Sequence, residues 1–178
     1  MSTSNSLELT LNKAVDSVPR LVFDAAKRYG DFNAIEDGEL IVSYKDLPSL
    51  SLDVCRAIIA SGIKPGDRVA IWGANSGRWV LAAIGLQMAG AVLVPINTRM
   101  KAVEAADIIN RSGAKLIFSM GDFLKSDYPA ELAKLFAPEQ LSMVTLTPRQ
   151  GNPLKSCCDW DTFLTRKDNV SEETAREI

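Results

Sequence analysis

Short apolar runs alternate with segments of helical periodicity from Asp67 onward, and this alternation constrains the fold more than any other feature of the chain. In chain order these are the run 68–72, a helical face of Trp79, Ala82, Ala83 and Leu86, the run 91–94, a helical face of Val103, Ala106 and Ile109, and the run 115–119. A helix at 128–136 and a strand at 143–146 continue the series. The sequence therefore predicts an α/β fold with a doubly wound, largely parallel sheet flanked by helices.

An entry helix and a hairpin are predicted before this alternation. Val18-Pro19 puts a proline where a first helical turn tolerates one, and Gly30 is expected to follow the end of that helix. The apolar stripe of the helix comprises Leu21, Val22, Ala25 and Ala26. Asp37-Gly38 lies between two short apolar runs and tolerates positive φ, which predicts a small N-terminal β-hairpin.

A further helix is expected to begin at Ser43-Tyr-Lys-Asp46, which resembles a capping box. In that box Ser43 accepts a hydrogen bond from an early helical N–H, while Asp46 reaches back. Pro48 would remove one donor and bend the start of the helix. Gly62 is expected to end the helix in a left-handed conformation.

The length of 178 residues and an apolar fraction of 47% suit a single soluble domain with a real core. We expect an N-terminal arm at 1–17, an α/β subdomain at 18–163 and a truncated tail at 164–178. The tail is assigned separately because the periodic spacing of apolar residues is lost beyond Trp160. Its charged segment 171–177 is expected to have nothing to pack against.

Charge and targeting signals argue against several classes of protein. The formal net charge is −2, and no Lys/Arg cluster forms a face that could follow a nucleic-acid backbone, so no nucleic-acid partner is expected. The first six residues lack the basic start and apolar run of a secretory signal. No apolar stretch approaches the roughly 20 residues of a membrane-spanning helix. We therefore expect a cytoplasmic protein with no transmembrane segment.

The chain contains no histidine, which excludes Ser-His-Asp and Cys-His nucleophile activation and every metal site that needs imidazole. The carboxylates are scattered over predicted solvent faces and form no acid/base or metal-binding pair. Cys55, Cys157 and Cys158 show neither disulfide nor zinc spacing and are expected to be reduced thiols. We assign no catalytic residue and no metal ligand.

The turn Gly73-Ala-Asn-Ser-Gly77 is the first candidate site, because glycines let a backbone approach a phosphate at a helix N-terminus. It lacks both the Gly-x-Gly-x-x-Gly order of a dinucleotide fingerprint and the Gly-Lys-Ser/Thr of a P-loop. The competing structural interpretation is that Asn75 or Ser76 caps the helix while Gly73 makes the turn.

Asn97-Thr-Arg99 is the second candidate site, since it follows a predicted strand at the edge where open α/β sheets bind ligands. Arg99 could hold a phosphate or carboxylate through two hydrogen bonds. The alternative is an ordinary surface ion pair with Glu104.

Aromatic and cysteine side chains offer weaker candidates. Trp72 and Trp79 could line an apolar channel, but core packing is favoured because large aromatics at such positions bury area first. Cys157-Cys158 could be redox active. Nothing near the pair in sequence would lower a thiol pKa, and a loop beside Trp160 accounts for it equally well.

Several motifs in order carry a family resemblance. They are Ser-Tyr-x-Asp-Leu at 43–47, Gly-Asp-Arg-Val-Ala-Ile at 66–71, Asn75 with Trp79, and Ala89-Gly-Ala-x-x-Val-Pro-Ile-Asn-x-Arg99. From about residue 19 to residue 160 the chain resembles the N-terminal part of the AMP-forming acyl-CoA synthetases of the adenylate-forming superfamily. The resemblance implies the incomplete N-terminal subdomain of that fold.

Such enzymes form an acyl-adenylate from a carboxylic acid and ATP-Mg and then transfer the acyl group to CoA. By the resemblance, ATP, Mg and CoA are cofactors of the parent protein, and Arg99 is a candidate contact to a CoA phosphate. The family's Ser/Thr/Gly-rich phosphate loop and catalytic lysine have no counterpart in this sequence. The chain is therefore expected to be an N-terminal fragment that is inactive alone and that self-associates through exposed core.

Two departures from the family pattern are structural. Lys101 stands where relatives carry a capping Thr or Ser, at a cost of about 1 kcal/mol, and Pro48 lies in a helix that relatives leave unbroken.

The run 97–109, with Phe118-Ser-x-Gly-Asp-Phe-Leu after it, is similar to bacterial members that activate propionate side chains of steroid-ring fragments. The alternative function is a non-catalytic module that binds a nucleotide or a protein.

Overall fold

A computed structural model describes residues 17–177 of the chain. The helices are α1 Val18–Tyr29, α2 Leu47–Ala60, α3 Gly77–Met88, α4 Ala102–Ser112, α5 Tyr128–Leu132, α6 Trp160–Leu164 and α7 Glu172–Arg176, with a 3₁₀ helix at Thr165–Asn169. The strands are β1 Asn33–Asp37, β2 Leu40–Ser43, β3 Arg68–Trp72, β4 Val92–Ile96, β5 Leu116–Ser119, β6 Asp122–Phe123, β7 Ser126–Asp127, β8 Ser142–Thr145 and β9 Cys157–Asp159. The predicted arm at 1–17 lies outside this part of the chain except for Ser17.

Five parallel strands form the central sheet in the order β4-β3-β5-β8-β9. The chain starts at β3, moves to one side through α3 and returns across β3 through α4. Right-handed crossovers place these two helices on opposite faces. The prediction of a doubly wound parallel sheet flanked by helices is therefore confirmed, and the order is that of the flavodoxin-like folds.

The strand β4 lies at the edge of the sheet and is mostly half-exposed, although its sequence is as apolar as that of the buried central strands. Val92, for example, is 49% exposed. An unbroken apolar run of this kind is typical of a strand covered on both faces. In this chain, part of the surface of β4 is left uncovered.

The fifth strand, β9, corrects the sequence interpretation of Cys157-Cys158 as a loop. Both cysteines pair with β8 in parallel register, Cys157 opposite Met143 and Cys158 opposite Val144. Cys-Cys-Asp carries no recognisable strand pattern. The strand forms because β8 offers an unpaired edge, and a single sequence does not reveal such a partner.

The hairpin β1–β2 turns at Gly38, whose φ is +61°, as predicted. The start of α2 differs from the prediction. Ser43 accepts a bond from the Asp46 N–H at 3.1 Å and donates to its carboxylate at 2.6 Å, but the helix begins at Leu47 and Asp46 makes no side-chain cap bond. Pro48 therefore falls in the first turn and costs no helical hydrogen bond.

The end of α2 is as predicted, with Gly62 at φ +83°. The helix packs closely on α3 at Gly85. A Cβ there would lie 2.6 Å from Val54 Cγ1 and 3.0 Å from the Ser51 carbonyl oxygen. Only glycine allows this approach, so Gly85 sets the distance between the two helices.

Two predicted apolar faces are partly wrong. In the predicted stripe of α1 only Val22 is buried, and Leu21 is 52% exposed. In α4 the buried residues are Ala105, Ala106 and Ile109, whereas Val103 is 69% exposed. Both exposed residues lie within the first four residues of their helices.

The segment after Trp160 packs against α2, which corrects the expectation that 171–177 has nothing to contact. Lys167 Nζ lies 2.6 Å from Asp53 Oδ2, and Arg56 Nε donates to the Val170 carbonyl at 2.7 Å. Ala175 is buried. Partners more than 100 residues apart hold the segment, which is why local periodicity does not reveal it. The boundaries at 18–163 and 164–178 stay a prediction.

Across the residues 17–177, no helix is both long and apolar enough to cross a membrane.

Candidate functional site

The carboxyl end of the sheet contains a crevice between β3 and β5, where connections leave to opposite faces and folds of this order usually bind ligands. Here the crevice is filled. A Cβ at Gly73 would lie 3.2 Å from Met120 Sδ and 3.3 Å from Leu146 Cδ1. The Met120 N–H also donates to the Trp72 carbonyl at 3.2 Å and so joins the chain after β5 to the end of β3.

The N-terminus of α3 is also occupied by the protein itself. Ser76 Oγ accepts a bond from the Trp79 N–H at 3.2 Å, and the Asp37 carboxylate accepts one from the Gly77 N–H at 2.8 Å. An anion bound at Gly73–Gly77 would have to displace a carboxylate that already interacts with the helix dipole. The capping interpretation is confirmed for Ser76, and the geometry argues against the phosphate interpretation.

An open pocket of about 480 Å³ lies beside β4 at the same end of the sheet. One wall is the segment 98–103, which runs from the end of β4 into α4. The other wall is formed by residues of 123–131, from the β6–β7 hairpin and α5. This pocket is the candidate site, because it combines open space with the exposed guanidinium of Arg99.

Three aromatic rings form the floor and one side of the pocket. Trp72 is fully buried and stacks on Tyr128, with ring centroids 3.8 Å apart and planes 12° apart. Phe123 meets Tyr128 edge-on at 5.9 Å. Core packing is thus confirmed for Trp72, which also borders the pocket. Trp79 is half-buried and lines a neighbouring hollow near Asn97.

The loop after β4 is held by hydrogen bonds from these rings. Trp72 Nε1 donates to the Asn97 carbonyl at 3.1 Å, and the Tyr128 hydroxyl donates to the Thr98 carbonyl at 3.0 Å. Asn97 Oδ1 in turn accepts a bond from the Arg99 N–H at 2.9 Å. The backbone that carries Arg99 is therefore fixed from both sides.

Arg99 lines the pocket and is exposed. In the described part of the chain its guanidinium forms no ion pair, so the predicted alternative of a pair with Glu104 is wrong. Glu104 instead accepts a bond from the backbone N–H of Lys101 at 2.8 Å. That bond partly replaces the cap that the Lys101 side chain does not provide.

The rim of the pocket carries the cations Arg99 and Lys101 and the carboxylate Glu131. A guanidinium without an ion-pair partner can offer two parallel N–H donors to a phosphate or carboxylate. The arrangement therefore combines cationic donors at the rim with an aromatic floor. It suits an organic anion with an apolar or planar body.

The second wall of the pocket, formed by residues of 123–131, was not predicted from the sequence. Leu124 and Lys125 both have positive φ, +49° and +67°, which is uncommon outside glycine. Asp127 secures the segment: it accepts the Ala130 N–H at 3.1 Å as the cap of α5 and pairs with Arg149 Nε at 2.8 Å. The signal that could have located it is Asp127-Tyr-Pro129, a capping residue followed by a first-turn proline.

Burial alone would raise the pKa of Asp127. The hydrogen bonds from Arg149 and the Ala130 N–H outweigh burial, so the pKa of Asp127 lies below its ordinary value. The guanidinium of Arg149 also donates to the Asn152 carbonyl. Asp127 is thus held in its charged form at neutral pH, and it anchors the wall electrostatically.

The cysteines take no part in the pocket. Burial raises the pKa of both Cys55 and Cys157 to about 11. Arg166 lies 3.5 Å from Cys158 Sγ, a neighbour the sequence did not reveal, but burial outweighs it and raises the pKa of Cys158 as well. Thiols protonated in this way are poor nucleophiles, which disfavours the redox interpretation.

Across residues 17–177, no group of three or more His, Cys, Asp or Glu side chains is arranged to hold a metal ion.

Comparison with known proteins gives a consistent picture. Residues 22–176 match the family described as AMP-binding enzyme. The chain is 35% identical over 163 residues to 3-[(3aS,4S,7aS)-7a-methyl-1,5-dioxo-octahydro-1H-inden-4-yl]propanoyl:CoA ligase of Rhodococcus jostii, with 90% of this chain and 31% of that protein covered. The chain thus spans about a third of the length of this relative.

Two solved structures share the fold. Coronafacic acid ligase from Pectobacterium brasiliense superposes with a TM-score of 0.72 at 16% identity, over 83% of this chain and 29% of that one. The N-terminal domain of FACL13 from Mycobacterium tuberculosis gives a TM-score of 0.68 at 21% identity, over 90% of this chain and 38% of that one.

Proposed function

Because the chain belongs to the AMP-binding enzyme family, whose adenylate-forming members include acyl-CoA ligases, we propose that it is the N-terminal part of an AMP-forming acyl-CoA ligase. The parent reaction converts a carboxylic acid, ATP and CoA to acyl-CoA, AMP and pyrophosphate. This part supplies scaffold and one wall of the site. The α/β subdomain seen here is the N-terminal subdomain of the adenylate-forming fold.

The single observation that carries a role in ligand binding is the Arg99 guanidinium, exposed beside an open pocket and without an ion-pair partner in the described chain. We assign Arg99 to a phosphate of CoA. Lys101 adds a second positive charge at the same rim. The aromatic floor suits the apolar and planar portions of a nucleotide-bearing thiol.

Catalysis is not assigned to this part of the protein. The crevice between β3 and β5 is filled by Met120 and Leu146, and the N-terminus of α3 is occupied by the Asp37 carboxylate. In both places the groups that could receive a phosphate of ATP are already engaged by the protein itself. We therefore propose that the 178-residue chain alone does not form an acyl-adenylate.

A fused-ring propanoate is the acid class we propose for the parent. The support is the name of the Rhodococcus jostii relative, which denotes a propanoyl chain on a bicyclic ring system. The sequence similarity at 97–109 and 118–124 to members acting on such acids agrees with it.

ATP–pyrophosphate exchange tests the catalytic part of the proposal. The isolated chain is incubated with ATP, Mg and a panel of acids that includes fused-ring propanoates, linear fatty acids and aromatic acids. No exchange above background is expected with any of them. Turnover with any acid would contradict the assignment of adenylation to segments beyond this chain.

Binding of CoA to the chain, measured by NMR titration or calorimetry, tests the site. Arg99→Ala is expected to weaken CoA binding about fivefold, the scale of one charge-assisted hydrogen bond at an exposed position. Arg111→Ala is the matched control, because Arg111 is an exposed arginine that pairs with Asp107 on α4 and does not line the pocket. Equal CoA affinity for Arg99→Ala and the native chain would overturn the contact.

The alternative of a non-catalytic nucleotide-binding module predicts a different result. Such a module would bind ATP or AMP alone and would show no preference for CoA. The titration therefore includes ATP and AMP beside CoA.

We also propose that the isolated chain self-associates. The support is the exposure of large apolar side chains on both walls of the pocket, with Val103 69% and Leu124 79% exposed. Sedimentation over a range of concentrations should show dimers or larger species. Monomers at all concentrations would contradict the proposal.

A further inference from the structure

We propose that Trp72 and Tyr128 are positioning residues that fix the loop 97–99 so that Arg99 faces the pocket. The inference rests on the proposed function, in which Arg99 contacts CoA. It assigns a role to two residues that make no charged contact themselves and that come from distant parts of the chain.

The two rings come from distant parts of the chain and are in direct contact. Trp72 ends β3, whereas Tyr128 opens α5, and the rings stack with centroids 3.8 Å apart. Each ring uses its one polar hydrogen on the loop. Trp72 Nε1 donates to the carbonyl of Asn97 at 3.1 Å, and the Tyr128 hydroxyl donates to the carbonyl of Thr98 at 3.0 Å.

Bonds to two consecutive carbonyls determine the orientation of a short loop more completely than two bonds to one peptide. The third restraint is internal, since Asn97 Oδ1 accepts the N–H of Arg99 at 2.9 Å. Each residue of the loop thus has a main-chain group held. The guanidinium then samples a limited region at the rim of the pocket, and less freedom is lost when an anion binds.

Tyr128 also connects the two walls of the pocket. Its hydroxyl reaches Thr98 on the first wall, while its backbone begins the helix that Asp127 caps on the second. Phe123 supports the ring edge-on at 5.9 Å. Burial, with a smaller contribution from Glu131, raises the pKa of the Tyr128 hydroxyl, so it remains a proton donor at neutral and mildly alkaline pH.

Tyr128→Phe isolates the role of the hydroxyl, because the stack and the packing are retained. We expect CoA to bind this variant about fivefold more weakly, the scale of one lost neutral hydrogen bond. The thermal unfolding midpoint should fall by no more than about 4 °C. Tyr44→Phe is the matched control: the Tyr44 ring packs at a tilt against Tyr29, with centroids 5.0 Å apart, and does not line the pocket, so CoA affinity should be unchanged.

A double-mutant cycle with Arg99→Ala distinguishes positioning from a merely structural role. If the hydroxyl acts through Arg99, Tyr128→Phe should change CoA affinity less than twofold once Arg99 is alanine. A fivefold loss in both backgrounds would overturn the inference, since the hydroxyl would then act independently of Arg99.

Two further outcomes separate this inference from the proposed function. If Arg99→Ala weakens CoA binding and Tyr128→Phe does not, the positioning role is overturned and the CoA contact stands. If Arg99→Ala binds CoA as tightly as the native chain, the contact itself is overturned, and the positioning role with it.

Discussion

Two crevices at the carboxyl end of one sheet differ in what fills them. Between β3 and β5, Gly73 leaves a space that Met120 and Leu146 occupy. Beside β4, the aromatic rings lie at the floor and the cations lie at the rim, so the space stays open. Topology selects the edge of the sheet where ligands bind. The volume of a few side chains decides which crevice at that edge can receive one.

The difference extends to the chemistry of the two places. The first crevice adjoins a helix N-terminus whose donors are already used by Asp37 and Ser76. The second adjoins Arg99, which has no ion-pair partner within residues 17–177. A binding site needs unsatisfied polar groups as well as room, and of these two crevices the pocket beside β4 is the one that offers both.

Emptying the filled crevice is the most severe test of this comparison. Leu146 is fully buried, and Leu146→Ala should lower the free energy of unfolding by about 3–4 kcal/mol through lost contacts and a residual cavity. The measurement is urea unfolding, with Leu135→Ala as control because Leu135 is 45% exposed. CoA affinity should not rise, since the guanidinium beside the new space, that of Arg78, already donates to the Leu146 carbonyl at 3.0 Å and lies 3.8 Å from Asp161. Tighter CoA binding would show that free volume alone determines whether a crevice binds CoA.

The second test shifts a wall of the open pocket. A Cβ at Gly121 would lie 2.3 Å from the Pro148 carbonyl oxygen, a backbone atom that cannot move aside cheaply. Gly121→Ala should therefore cost about 3 kcal/mol. Gly73→Ala is the matched control at the filled crevice, because the flexible Met120 side chain can adjust, and about 1 kcal/mol is expected. Equal losses in the free energy of unfolding, measured in urea, would contradict the distinction between a backbone neighbour and a flexible side-chain neighbour.

Much of the fold could be predicted from the sequence because its information is local. The central strands are apolar runs, and the alternation with helical faces fixes their parallel arrangement. The strand Cys157–Asp159 and the packing of 171–177 could not be predicted in this way. Both depend on partners far along the chain: β9 needs the open edge of β8, and 171–177 follows a segment that Asp53 and Arg56 of α2 hold at Lys167 and Val170.

The candidate site likewise has one wall that could be predicted from the sequence and one that could not. Arg99 could be predicted because it follows a strand at the edge where ligands bind. The other wall could not, because Tyr128 is held there by its stack with Trp72, more than 50 residues earlier, and Phe123 by its edge-on contact with Tyr128. No periodicity links the two segments. The capping residue Asp127 predicts where α5 begins. It does not predict that Tyr128 contacts Trp72.

The pH dependence of stability provides a third test, because Asp127 anchors the wall of the open pocket. Its folded-state pKa is lowered, so its contribution is present above the unfolded value of about 3.9 and is lost as pH falls through the folded value. Asp127→Asn should cost about 2 kcal/mol at pH 7, the scale of charge-assisted hydrogen bonds. The difference from the native chain should shrink below about pH 4.

Asp107→Asn is the control for that measurement. Asp107 pairs with Arg111 on the surface of α4, where both side chains are more than half exposed. An exposed pair of this kind contributes less than about 0.5 kcal/mol. A constant difference between Asp127→Asn and the native chain from pH 7 to pH 3 would contradict the role of the charge.

The smallest expected effect on stability belongs to Arg99, and its size is itself informative. Arg99→Ala should change the free energy of unfolding by less than about 0.5 kcal/mol, because the side chain is exposed and joins no ion pair in the described chain. A structural arginine would behave like Arg149, whose guanidinium holds Asp127 at 2.8 Å and is largely buried. Urea unfolding of Arg99→Ala beside Arg149→Ala makes the comparison. If the two losses are equal, Arg99 serves the fold, and the open pocket loses its principal binding group.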